Sequence, residues 1–82
     1  MLKPELVIKL KEQFKSEAQA YNTYKVINRM IEDEFLNDAL EEIMYDEFLH
    51  AKFLRSFLME HNAYDPAECV ELEKSYKEML ND

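Results

Sequence analysis

An all-α fold is the expectation for this chain, and three observations carry it. There is no glycine among its 82 residues, so neither two-residue hairpin turns that need positive φ nor glycine-rich phosphate loops are available. Strict alternation of apolar and polar residues, the mark of a half-buried strand, persists nowhere. In its place, two long stretches carry apolar residues at alternating three- and four-residue steps, the period of one helix face. The architecture predicted is a long antiparallel two-helix hairpin plus a short C-terminal helix, at about residues 4–31, 36–62 and 66–80, within a single domain spanning 1–82. A chain this short cannot close a large core by itself, so a homodimer of hairpins forming a four-helix bundle is expected.

The first helix opens at Pro4, whose missing N–H costs nothing in a first turn. Its stripe runs Leu6, Leu10, Phe14, Glu17, Tyr21, Tyr24, Ile27 or Asn28, and Ile31, with a carboxylate at the place of one apolar member. Charge gathers at Glu32-Asp33-Glu34 and the stripe lapses, which places the connection at about residues 32–35. The second stripe runs Leu36, Leu40, Ile43, Glu47, His50, Leu54 and Phe57, again with polar members. Asn62, which tolerates the left-handed cap conformation, ends it. Asp65-Pro66-Ala67-Glu68 then reads as an N-cap, a first-turn proline and a capping-box glutamate, opening a third helix whose inner face is Cys69, Leu72, Tyr76 and Met79.

A formal charge of −8 argues against nucleic acid or an anionic membrane as partner and favours attraction of cations. The amino terminus enters an amphipathic pattern directly, with no secretory segment and no run of membrane length, and the expected location is cytoplasmic. The single cysteine, Cys69, has no partner for an internal disulfide or a Cys-x-x-Cys knuckle, and is expected as a buried structural thiol.

The polar members of the stripes are the candidates for chemistry. Burying an ionised carboxylate without a partner costs several kcal/mol, so something must compensate it, and a metal ion is the leading candidate. With the turn near residue 32, Glu17 and Glu47 lie equally far from it, at roughly 22 Å along their helices, and so at one height. His50 follows Glu47 by three residues on the same face. A two-fold dimer would assemble four carboxylates and two imidazoles, an inventory that neutralises two divalent ions. Mixed carboxylate and imidazole donors favour iron or manganese over calcium, with zinc also compatible. Asp46 is placed to accept a hydrogen bond from a ligating imidazole of the other subunit, or else to lie solvated. His61 is roughly 16 Å from His50 along the axis, too far for the same centre, and a cationic side chain at a helix C-terminus accounts for it. Met44, Phe48, Leu49, Phe53, Leu58 and Met59 make the second helix apolar over more than one face, surface expected to serve oligomerisation up to a larger ring.

Glu17, Tyr24 seven residues later, and Asp46-Glu47-x-x-His50-Ala51 resemble the ferritin-like di-iron carboxylate superfamily, which includes ferritins, bacterioferritins and rubrerythrins. The resemblance implies a ferritin-like four-helix bundle with a di-iron centre. In it Glu17 is a terminal ligand, Glu47 the bridging carboxylate, His50 the terminal imidazole, and Tyr24 a hydrogen-bonding or redox neighbour. It further implies a ferroxidase-type oxidoreductase, oxidising Fe(II) with oxygen or peroxide. Ferritin and rubrerythrin chains hold four such helices, whereas this one carries half the set. That half complement is similar to encapsulated ferritin-like proteins, whose hairpins assemble the iron site between subunits and dock inside a shell through a C-terminal peptide. An encapsulating shell is a further candidate partner, although residues Met79 to Asp82 show no such peptide, and rubrerythrin's rubredoxin-type cysteine pairs are absent. Rubrerythrin-like peroxide reduction, manganese redox chemistry and iron storage are alternatives that keep the metal. A metal-free helical interaction module, whose apolar second helix engages a partner helix, is the alternative from a different class.

Overall fold

The computed structural model describes residues 1–81 and contains three helices: α1 (Pro4–Met30), α2 (Glu34–Glu60) and α3 (Val70–Leu80). No strand occurs among the described residues. α1 and α2 form the long antiparallel hairpin, and α3 packs back along α1, giving an elongated body of 47 × 19 × 17 Å.

Side chains close the hairpin turn in the absence of glycine. Pro4 occupies the first turn of α1, which ends where Ile31 becomes extended (φ −99, ψ 130). Asp33 then caps α2, its Oδ1 accepting from the Leu36 N–H at 3.0 Å. This cap starts α2 two residues before the stripe restarts at Leu36, so the connection is residues 31–33 rather than 32–35. The Asn37 amide reaches back to Asn28 O, Asn28 Oδ1 and Ile31 O at 3.1, 2.7 and 3.1 Å, meeting the last carbonyls of α1 with donors from α2.

α2 ends as its sequence anticipates. Asn62 takes φ 55, and the N–H groups of Asn62 and Ala63 donate to Met59 O (3.0 Å) and Leu58 O (2.8 Å). This is a Schellman motif with asparagine in the left-handed position.

The start of α3 departs from expectation. Asp65 does act as a cap, but of a turn: its Oδ1 accepts from the Ala67 N–H at 2.9 Å, and its carbonyl accepts from Glu68 and Cys69 at 3.0 and 2.9 Å. Residues 66–68 are that turn, Cys69 (φ −92, ψ 60) breaks it, and the helix begins at Val70 rather than Pro66. Glu68 donates its backbone N–H to the Asp65 carbonyl rather than to its side chain, so the expected capping box does not form.

The core lies where α3 covers the hairpin: Phe14 and Ala18 from α1, Ala51 and Leu58 from α2, Tyr64 from the connection, and Tyr76 and Met79 from α3. The Phe14 ring meets Tyr64 and Tyr76 edge-on, with centroids 5.6 and 5.8 Å apart. Cys69 is half-buried against this cluster. Glu73 is buried here too, yet fully engaged: Arg55 Nε and Nη2 donate to its two oxygens at 2.9 and 2.8 Å, and Tyr64 Oη donates at 2.9 Å. The Arg55 guanidinium also lies 4.6 Å from the Tyr76 ring centroid. At the far end, Lys25 Nζ donates to the carbonyls of Glu78 and Asn81, and Asn22 Nδ2 to Ser75 O at 3.0 Å, tying the last turns of α3 to α1. No helix among the described residues is long and apolar enough to cross a membrane.

Candidate metal centre

Only one flank of the hairpin is covered. The side chains that carry α3 on α1 are Phe14, Asn22 and Lys25, whereas Leu6, Gln13, Glu17, Ala20, Tyr24 and Ile27 recur at helical spacing on another flank. On α2 the matching set is Leu36, Ile43, Asp46, His50, Phe53 and Phe57. The expected faces of α2 are thus partly exchanged: Met44 and Leu58, expected as oligomerisation surface, are buried within one copy because they turn toward α1 and α3, while Leu36 and Ile43 of the expected core stripe remain 48 % and 43 % exposed.

Glu17, Glu47 and His50 meet on this open flank. They line one hollow of ≈ 400 Å³ with Ser16, Ala20, Ile43 and Asp46, and no residue of α3 contributes to it. Equal distance from the turn produces the meeting, since the antiparallel helices bring Glu17 and Glu47 to one level. The small side chains of Ser16 and Ala20 keep the hollow open on the α1 side.

Glu17 Oε2 lies 3.5 Å from His50 Nδ1, with Glu17 sheltered (16 % of its side chain exposed) and His50 largely open (63 %). The other oxygen of Glu17 accepts from Gln13 Nε2 at 2.8 Å. Glu47 Oε2 is buried and has no hydrogen-bond partner. Burial pushes the Glu47 carboxyl above its ordinary value, the neighbouring Glu17 charge pushes it the same way, and His50 only partly opposes them. A buried acceptor that meets a second carboxylate in place of a donor is held at a cost, and a cation between the carboxylates reverses the sign of that cost.

The remaining sequence candidates sit at the margin. Asp46 is exposed on the rim of the hollow and also lines a neighbouring acidic depression with Asp38, Glu41, Glu42 and Tyr45. Tyr24 is half-buried two turns along α1 and does not line the hollow. His61 is the C-cap of α2, its ring 4.5 Å from that of Phe57, and belongs to the far end of the hairpin.

Compared with family models, curated proteins and solved structures, the chain matches none. The site therefore rests on its own geometry. Among the described residues, no group of three or more His, Cys, Asp or Glu side chains converges closely enough to hold a metal ion within one copy. What one copy presents is a carboxylate and imidazole pair beside an unpartnered carboxylate, all on an uncovered apolar flank.

The sequence reading overlooked Gln13, whose spacing of four before Glu17 was the available signal. It also overlooked the Arg55, Glu73 and Tyr64 cluster. Arg55 and Glu73 each follow a stripe leucine by one residue, a position indistinguishable from a solvated shoulder until α3 is docked.

Proposed function

We propose that this chain is a ferritin-like metal-binding protein whose homodimer forms a four-helix bundle around a di-iron site, working as a ferroxidase-type oxidoreductase. The observation that carries the reading is the buried, unpartnered Glu47 oxygen in a hollow shared with Glu17 and His50. These residues fit the group: they are oxygen and imidazole donors suited to iron, manganese or zinc, and the free carboxylate needs a cation. Apposition of two open flanks about a two-fold axis doubles the set to four carboxylates and two imidazoles. It also buries Leu36, Ile43 and Phe53, which one copy leaves to solvent.

In this reading Glu47 would be the shared carboxylate, Glu17 and His50 would be terminal ligands, and Asp46 would accept a hydrogen bond from an imidazole of the other copy. Bound iron would supply the electrons that reduce oxygen or peroxide. Tyr24 is the aromatic hydroxyl flanking the site in the assembled bundle. The protein's own part is to fix the donors and exclude water around them.

Metal analysis of the purified homodimer is expected to find two ions per dimer, with Glu47→Ala abolishing the loading. Full loading in that variant would remove Glu47 from the site. Stopped-flow oxidation of added Fe(II), with oxygen and with peroxide, separates ferroxidase activity from rubrerythrin-like peroxide reduction. The metal-free interaction module accounts for the apolar flank but leaves the Glu47 oxygen unexplained. It predicts that assembly survives replacement of Glu17, Glu47 and His50 together.

A further inference from the structure

The Glu17 carboxylate is held asymmetrically. Its Oε1 accepts from Gln13 Nε2 at 2.8 Å, one helical turn earlier, while Oε2 faces His50 Nδ1 at 3.5 Å in the hollow. Gln13 does not line the hollow, so its amide acts on the site only through Glu17. We infer that Gln13 is a positioning residue that occupies one oxygen of Glu17 and presents the other, singly, to a divalent cation. The inference rests on the metal reading above and adds to it how Glu17 binds.

The chemistry of the pair favours this role. A carboxylate with both oxygens free tends to swing and take a cation through both, whereas a neutral donor on Oε1 fixes the rotamer and leaves one lone-pair direction for the metal. The amide adds no charge, so it orders Glu17 without competing electrostatically with the cation, as a lysine there would. The i, i+4 spacing on one helix keeps the contact independent of how a second copy docks.

Co(II) alone is the probe, added to the full chain and to Gln13→Met, which keeps the length and helix preference of glutamine but lacks the donor. Visible absorption reports both affinity and coordination number. Gln13→Met is expected to bind Co(II) ~10-fold more weakly, with a less intense ligand-field band as Glu17 moves to two-oxygen coordination. The melting temperature of the metal-free protein is expected to stay within about 3 °C of the parent, because Gln13 is exposed. An affinity and spectrum identical to the parent in Gln13→Met would overturn the role of Gln13 while leaving the metal site standing. A parent chain that binds no Co(II) would overturn both. Weakened binding with an equal fall in metal-free stability would assign Gln13 a structural role and overturn the inference.

Discussion

The two flanks of the hairpin solve the same problem differently. Each places a glutamate against an apolar seam. On the flank covered by α3, Glu73 receives two hydrogen bonds from Arg55 and one from Tyr64, and its carboxyl is held below the ordinary range, chiefly by the bonds from Arg55. On the open flank, Glu47 receives none at its buried oxygen, faces a second carboxylate, and is pushed above that range by burial. One glutamate is complete within a single copy of the chain. The other has a buried oxygen that no donor of the same copy meets, and the proposed metal site rests on that difference.

The largest expected effect falls on the complete flank. Glu73→Gln removes the charge that Arg55 was placed to meet and is expected to cost about 3 kcal/mol, a fall in melting temperature on the order of 10 °C or more for a domain this size. The double variant Arg55→Met with Glu73→Leu removes both charges together and is expected to recover most of that loss. If the single and double variants melt alike, the Arg55 and Glu73 pair does not hold α3 to α2.

The open flank should respond with the opposite sign. Without metal, Glu47→Gln removes an uncompensated buried charge and is expected to raise the melting temperature by a few degrees, corresponding to about 1 kcal/mol. With Fe(II) added anaerobically at about one hundred times its dissociation constant, the parent is expected to gain about 2.7 kcal/mol and the variant nothing. Thermal melts of the two proteins, with and without metal, form a four-point test. A Glu47→Gln protein that melts below the parent in the absence of metal would mean that this carboxylate has a partner after all.

Acid titration sharpens the contrast. Because Glu73 is held below its ordinary value of 4.5, its contribution to stability is complete above that pH and is lost as pH falls through its lowered value. Glu47 is raised above 4.5, so its charge penalises the folded state increasingly as pH rises from 4.5 through the raised value. Melting temperatures of the parent and Glu73→Gln are therefore expected to converge below pH 4.5 and to be furthest apart near neutrality. Curves that stay parallel across this range would exclude Glu73 ionisation as the source of the difference.

What was legible in the sequence divides along the same line. The helices, the asparagine cap of α2 and the common level of Glu17 and Glu47 followed from local spacing, because helical period and distance from a turn are properties of the chain itself. The division of the stripes between two flanks was not legible. Whether Leu36 and Ile43 face inward depends on which side α3 chooses, and α3 is directed by Tyr64, Arg55 and Glu73, whose mutual approach is a tertiary event. The start of α3 was misplaced for a related reason. Asp65 and Pro66 do carry the signals that open a helix, but Cys69 breaks the turn they open. Local propensity gave the turn, and α3 begins only beyond that break.

The smallest expected effect on folding has the largest consequence for assembly. Phe53 is 68 % exposed, follows His50 by three residues on the open flank, and stacks on Phe57 with ring centroids 6.1 Å apart. Phe53→Glu removes little from the core of one copy, so its own fold is expected to change by no more than about 0.5 kcal/mol. If the open flank is the seam between two copies, the substitution sets two like charges near the axis, and sedimentation should find monomer where the parent is dimer. Metal loading should fall with it although Glu17, Glu47 and His50 are intact, because the missing ligands belong to the second copy. A Phe53→Glu protein that remains dimeric and fully loaded would place the seam elsewhere, and the Glu47 oxygen would then need a partner from some other molecule.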